Sequence, residues 1–254
     1  YLIVGNHEAS SQDLTFSSTK VLEADNRTIV SEPHSLFVDN TEICFLPYIV
    51  ESDRKPLVEY FQARTHKRII LSHNDIKGMQ LGKFTSTDGF SIEEIERHCR
   101  LFINGHLHNG TWVGKNICNV GNITGQNFSE DAMQYRHEAL ILDDKACSLD
   151  WIENPYAFNF YKLDLTRCAS SEEVKSTLAK CSSNSVMTVK INSDQHFVQD
   201  IIDNMSNIVA SRVIIEQRNS GATLSVEAPA VTGVDHITKF TEYVKTFIGT
   251  DKEI

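Results

Sequence analysis

A chain of 254 residues with 41% hydrophobic and 23% charged side chains has the composition of an ordinary soluble globular protein, as one large domain or two modest ones. Its apolar runs fall short of the roughly 20 residues that span a bilayer, so no membrane partner is expected. A net charge of −10 argues against a general polyanion binder, because non-specific nucleic-acid affinity comes mainly from Lys and Arg neutralising phosphates; for a nucleic-acid substrate a local patch, metal ions or a partner must supply the positive charge.

In chain order, Tyr1-Leu-Ile-Val4 reads as a buried strand leading into Gly5-Asn6-His7-Glu8. Nothing precedes this strand, and a buried strand needs neighbours, so the chain is expected to be the C-terminal part of a longer protein. Residues 12–24 read as a helix. Thr28-Ile-Val30, Leu36-Phe-Val38 and Ile43-Cys-Phe-Leu46 read as strands, the last two joined by a turn at Asp39-Asn40. Ser52 is the expected N-cap of a helix running to about Arg64. Arg68-Ile-Ile-Leu71 is a strand ending in Ser72-His73, and the polar, Gly-containing segment 74–89 is long enough to be a functional loop. Ser91-Ile-Glu-Glu94 forms a capping box for a helix to about His98. The strand Arg100-Leu-Phe-Ile103 runs into Asn104-Gly105-His106-Leu107-His108. Strands at 111–113 and 116–120, a polar loop over 121–136 and a hairpin over 138–152 follow.

The organisation changes at Asn154-Pro155. Beyond it come a strand at 157–165, a helix from Ser170 to about Lys180, a strand at 186–191, a helix at 194–210 and a strand at 212–216. Residues 217–234 read as loose. Ile237, Phe240, Val244 and Phe247 have the spacing of an amphipathic helix whose apolar face needs a partner.

Cys44, Cys99, Cys118, Cys147, Cys168 and Cys181 show no CxxC spacing and mostly sit in apolar runs. They read as reduced core thiols, which favours a cytoplasmic location. Lys77, Lys83, Arg97 and Arg100 read as solvated surface, and Trp112 as core.

Three apolar strands therefore end in polar clusters: Asn6-His7, His73, and His106 with His108. In open α/β sheets ligands sit beyond the carboxyl ends of the strands, so the clusters describe one convergent site. Two imidazoles two residues apart in a looped backbone can reach different positions around a metal centre, and Gly105 permits the turn. Metal ligation is the expected chemistry.

Gly5-Asn6-His7-Glu8, Ser72-His73 and Gly105-His106-Leu107-His108, in this order, resemble the third, fourth and fifth motifs of the calcineurin-like metallophosphoesterases. The resemblance implies an α/β fold, here an incomplete metallophosphoesterase β-sandwich flanked by helices, over residues 1–154. It implies two divalent metal ions, manganese most of all, with iron or zinc as the other choices. Asn6, His73 and His106 would ligate one ion and His108 the other. His7 would be catalytic, stabilising or protonating the leaving oxygen. A metal-bound imidazole needs its other nitrogen held by an acceptor, for which Glu8, Asn74 and Asp75 are candidates. The family's Asp-x-His and Gly-Asp-x-x-Asp motifs precede Gly-Asn-His, and nothing precedes it here. No later Asp stands in a matching context, so residues 1–254 alone are expected to be weakly active or inactive.

The unit at 155–218 resembles the small α+β capping domain of the SbcD/Mre-type recombination nucleases, and Gly121 to Glu130 resembles the loop after their last metal motif. This implies DNA as substrate, an SMC-like ATPase partner, a homodimer, and residues 219–254 as a linker and partner-binding segment. Two other readings compete: a phosphoesterase on a small nucleotide or a phosphoprotein, and a non-catalytic scaffold. Five site residues in register argue against the scaffold.

Overall fold

In a computed structural model the protein is described at residues 1–8, 17–61, 68–81, 84–127, 129–168, 170–182, 184–192, 212–219 and 222–227. The chain divides into two compact units, Tyr1–Phe158 and Asn159–Ile254.

In the first unit the strands are β1 (Leu2–Ile3), β2 (Ile29–Val30), β3 (His34–Val38), β4 (Thr41–Leu46), β5 (Arg68–Ser72), β6 (Ile76–Lys77), β7 (Gln80–Leu81), β8 (Phe84–Thr85) and β9 (Phe90–Ser91). Helix α1 (Ile92–His98), β10 (Leu101–Asn104), β11 (Thr111–Val113), β12 (Ile117–Asn119), β13 (Glu138–Asp143) and β14 (Ser148–Glu153) complete it. Six strands form the main sheet in the order β11-β12-β10-β5-β4-β3. The four central strands are parallel and the two edges antiparallel. Leu46, Ser72, Asn104 and Asn119 stand in one rung at the carboxyl end of the four central strands.

Both faces of this sheet are covered, which is why its central strands are continuous apolar runs. Alternation along each strand sorts the side chains. Cys44, Ile70, Phe102 and Ile117 pack with Leu57, Phe90 and Ile95 on one face. Ile43, Phe45, Ile69, Leu101 and Ile103 pack on the other, against Ile3 and Val30 of the β1–β2 pair and Leu140, Leu142 and Leu149 of the β13–β14 hairpin. The described residues are thus mixed α/β, with a strand-rich sheet and few helices among them.

The Ser91 cap is as expected: its hydroxyl accepts from the Glu94 amide at 3.2 Å. The Glu94 side chain, however, accepts from the Leu57 amide and ties α1 to the segment before β5. That segment differs from expectation. Within the described residues it holds two 3₁₀ turns, Glu51–Asp53 and Leu57–Glu59, rather than one helix from Ser52. Pro56 disfavours helical geometry at Lys55, and the Arg54 guanidinium is drawn inward to the Ile49 carbonyl (3.0 Å), the Asn74 amide oxygen (3.2 Å) and the Phe90 ring. The helix expected at 12–24 is described only from residue 17, where Ser18–Leu22 is a 3₁₀ turn. Trp112 is 51% exposed rather than core, because β11 is an edge strand; it lines an open cleft with Tyr135, Arg136 and Trp151.

The second unit contains β15 (Asn159–Asp164), α2 (Ser171–Leu178), β16 (Ser185–Asn192), β17 (Arg212–Asn219) and β18 (Ala222–Glu227), paired in that strand order. The first three strands are parallel and β18 is antiparallel. Ser170 caps α2 by accepting from the Glu173 amide, and Val174 and Leu178 of α2 are buried. The stretch read as loose thus contains the end of β17 and all of β18, because β17 offers an open edge that β18 pairs through six residues. The helices expected at 194–210 and 235–248 lie outside the described residues, as do Lys83 and His196. All six cysteines are free; Cys44, Cys99 and Cys118 are buried and the other three half-buried. Burial pushes the Cys99 thiol up to about 12 and the Cys118 thiol to about 11, so neither is a nucleophile at neutral pH. Among the described residues no helix is long and apolar enough to cross a membrane.

Candidate functional site

The site lies beyond the rung Leu46–Ser72–Asn104–Asn119. β1 reaches it by a route outside the main sheet: the Val4 carbonyl accepts from the Tyr48 amide at 2.9 Å, setting Gly5 and Asn6 beside the end of β4. His73 follows β5 directly, its amide donating to the Leu46 carbonyl. His106 follows β10 by one residue, with the Gly105 amide donating to the Ser72 carbonyl at 2.9 Å.

Asn6, His73 and His106 come together. The Asn6 Oδ1 and His73 Nε2 atoms are 3.2 Å apart. The His73 and His106 rings meet edge-on, with centroids 5.1 Å apart. Before Asn6 there is room only for glycine, whereas a Cβ on Gly105 would meet nothing nearer than 3.7 Å, so the turn before His106 does not need the glycine expected there. A Cβ on Gly5 would lie 2.8 Å from His73 Nε2 and 2.6 Å from Glu8 Oε2, the same carboxylate that accepts from the Gly5 amide.

Each imidazole nitrogen has a defined environment. His106 Nε2 donates to Asp75 Oδ1 at 3.1 Å, because a carboxylate accepts and does not donate. His106 Nδ1 is buried and has no hydrogen-bond partner. The hydrogen bond from His106 holds the Asp75 carboxyl below its ordinary range. Asp75 is itself placed by Gly89 and Phe90: the Phe90 amide donates to the Asp75 carbonyl, and a Cβ on Gly89 (φ +98°) would lie 2.0 Å from that oxygen. The two ends of the 74–89 loop therefore close on each other behind His106. Of the expected second acceptors, Asp75 takes this role. Glu8 accepts from Gly5, and Asn74 serves the backbone.

His73 is pushed down from 6.5 to about 4, by burial first and by the neighbouring His106 next. Its ring is thus neutral at pH 7, the form a metal ligand requires. The same shift has a stability consequence. Between pH 6.5 and about 4 the unfolded chain binds a proton at His73 that the folded chain does not, so stability falls as pH falls through that window. Urea midpoints of the metal-free protein should drop from pH 7.5 to pH 4.5, and a His73→Gln variant should show a shallower drop. Equal slopes for the two proteins would refute the assignment.

His108 does not join the Asn6–His73–His106 contacts. Its Nδ1 donates to Glu130 Oε1 at 3.1 Å. His7 is exposed, and its ring lies near enough to His73 to depress it further.

Sequence reasoning missed the parts that hold the loop. Asn104 and Asn119 are fully buried. Asn119 Nδ2 donates to the Leu107 carbonyl (2.8 Å) and the Asn109 carbonyl (2.9 Å), on either side of His108. Its Oδ1 accepts from the Leu107 amide and from Asn104 Nδ2, both at 3.3 Å. Asn104 then bridges to Asn74, accepting from its amide at 3.0 Å and donating to its carbonyl at 2.9 Å. Asn74 in turn donates to the Pro47 carbonyl and accepts from the Ile49 amide. Buried His137, also missed, donates from Nδ1 to the Asn122 carbonyl at 2.9 Å. The available signal was an Asn at the end of two apolar strands, where a strand end buries a polar side chain only if it serves the adjoining loop.

These residues fit a divalent ion. Two ligand atoms about 2.1 Å from one octahedral ion lie about 3 Å apart, close to the Asn6–His73 separation, which is also that of a hydrogen bond from His73 Nε2 to the amide oxygen. The buried Nδ1 of His106 has a free lone pair, and an imidazole and amide-oxygen donor set suits manganese, iron or zinc. Among the described residues, no three His, Cys, Asp or Glu side chains gather as a metal-binding group. A scan against protein-family models and a search of curated proteins find no match to this chain.

Proposed function

We propose that this chain carries part of a metal-dependent phosphodiesterase, the nuclease subunit of a DNA recombination or repair complex. The observation that carries the reading is the meeting of Asn6, His73 and His106 at the carboxyl ends of parallel strands, with one imidazole neutral and the other presenting an unpartnered buried nitrogen. On this reading the main sheet and the strands packed on its far face form the two β-layers of a calcineurin-like metallophosphoesterase, and the second unit is its cap. DNA and an SMC-like ATPase partner rest on the resemblance of that cap.

Asn6, His73 and His106 would hold one ion and His108 would serve a second. When bound, the ions would polarise the phosphoryl oxygen and lower the pKa of a coordinated water toward about 7. The chain's own residues do the rest. Asp75 orients His106, the asparagine ladder holds the 106–108 loop, and exposed His7, next to Asn6, delivers a proton to the leaving oxygen.

Binding of Mn²⁺ to residues 1–254, followed by electron paramagnetic resonance, tests the reading. Saturable binding is expected, with His73→Ala weakening it by more than the roughly 10–100-fold that loss of an outer-shell partner costs. No binding, or equal binding by the variant, would overturn it.

A further inference from the structure

The carboxylate of Glu130 is only 2% exposed, and among the described residues its hydrogen-bond partners are a ring nitrogen, a side-chain amide and a backbone amide. Oε1 accepts from His108 Nδ1 at 3.1 Å and from Asn122 Nδ2 at 3.1 Å. The Gln126 amide donates to both oxygens, at 3.3 and 3.1 Å. Asn122 closes the circuit, because its own amide donates to the His108 carbonyl at 2.9 Å while its carbonyl accepts from His137. Asn122 and Gln126 thus converge on one carboxylate that grips His108 by side chain and, through Asn122, by backbone.

We propose that Glu130 is a positioning residue that fixes His108 as the Nδ1–H tautomer and so presents Nε2 as its only free lone pair. The neighbouring histidine of the same turn is fixed the opposite way: Asp75 accepts a hydrogen bond from His106 Nε2–H and leaves Nδ1 free. One Gly-His-Leu-His turn thus offers two different ring nitrogens, each selected by its own carboxylate. Opposed tautomers let two rings two residues apart serve different ions without a change of backbone. That use of the lone pairs rests on the metal-dependent reading above, whereas the tautomer assignment does not.

Long-range proton–nitrogen NMR of the imidazoles in metal-free residues 1–254 reads the tautomers directly. His108 is expected as Nδ1–H and His106 as Nε2–H. In Glu130→Gln, which keeps the size but adds a donor, His108 is expected to become a mixture, with His106 unchanged. A wild-type His108 that is Nε2–H, or a Glu130→Gln spectrum with His108 unaltered, would overturn the proposal whether or not metal binds.

A second readout separates positioning from a merely structural role. Glu130→Gln should weaken one class of Mn²⁺ site by roughly 10–100-fold. It should add no further weakening in a His108→Ala background, since it acts through that ring. Additive losses would count against it. If wild-type protein binds no Mn²⁺ while His108 is still Nδ1–H, the functional reading fails and the tautomer lock stands.

Discussion

Asn119→Leu is expected to unfold at a clearly lower urea concentration than the parent protein, with a stability loss of about 3–4 kcal/mol. The substitution preserves side-chain size, so little of the effect is a cavity. It arises because the fully buried Asn119 side chain loses four hydrogen bonds together, one to buried Asn104 and three to the half-buried 107–109 turn. The Leu107 amide and carbonyl, the Asn109 carbonyl and Asn104 Nδ2 each lose a partner, and an unsatisfied buried polar group costs about 1–3 kcal/mol. Relaxation of the loop toward water will recover part of that, which is why the sum is not expected in full. The same relaxation moves His106 and His108, so Mn²⁺ affinity should fall by at least about tenfold, as for other outer-shell partners. An unchanged urea midpoint would show that the ladder is not holding the turn.

Arg68→Met is expected to cost about 3–5 kcal/mol, and replacing its partner as well should restore most of that loss. Arg68 Nε donates to Glu42 Oε2 at 2.8 Å between adjacent strands, with both side chains 3% exposed or less. Removing the guanidinium alone strands a carboxylate in the core. The Cys44 thiol, driven up by burial and by that carboxylate, stays protonated beside Glu42 and is only a weak donor. Removing both charges in Glu42→Leu/Arg68→Met takes away the desolvation cost along with the attraction, and one Arg68 nitrogen lacks a partner even now. A double-mutant cycle in urea measures the coupling. A double variant as unstable as Arg68→Met would contradict the argument. The pair sits at the opening end of β4 and β5, four residues or about 13 Å of strand from the site, so Mn²⁺ binding should survive in folded Arg68→Met.

Where the chain's organisation is local, it was legible. Short apolar runs mark β4, β5 and β10, the first ended by Pro47 and the other two by His73 and Gly105, because a strand buried on both faces needs no alternation. The turns at Asp39 and Gly114 are read from residues that tolerate positive φ, and both have it. Ser91 and Ser170 are caps because a serine oxygen meets the amide three residues on. The gathering of Asn6, His73 and His106 was legible for the same reason: parallel strands place their carboxyl ends together.

Where contacts join distant stretches, the residues alone were silent. Residues 51–60 have helical composition, yet a buried Arg54 and the Glu94–Leu57 contact hold them as turns. β18 exists because β17 leaves an edge, and Trp112 is exposed because β11 is one.

By itself, then, the sequence determined which residues would stand at the strand ends and that their chemistry is imidazole and amide. Only the tertiary structure decided which nitrogen each imidazole offers. That choice depends on Asp75, 31 residues before His106, and on Glu130, 22 residues after His108. No local pattern encodes such a pairing, because a carboxylate selects a tautomer by where the chain returns in space.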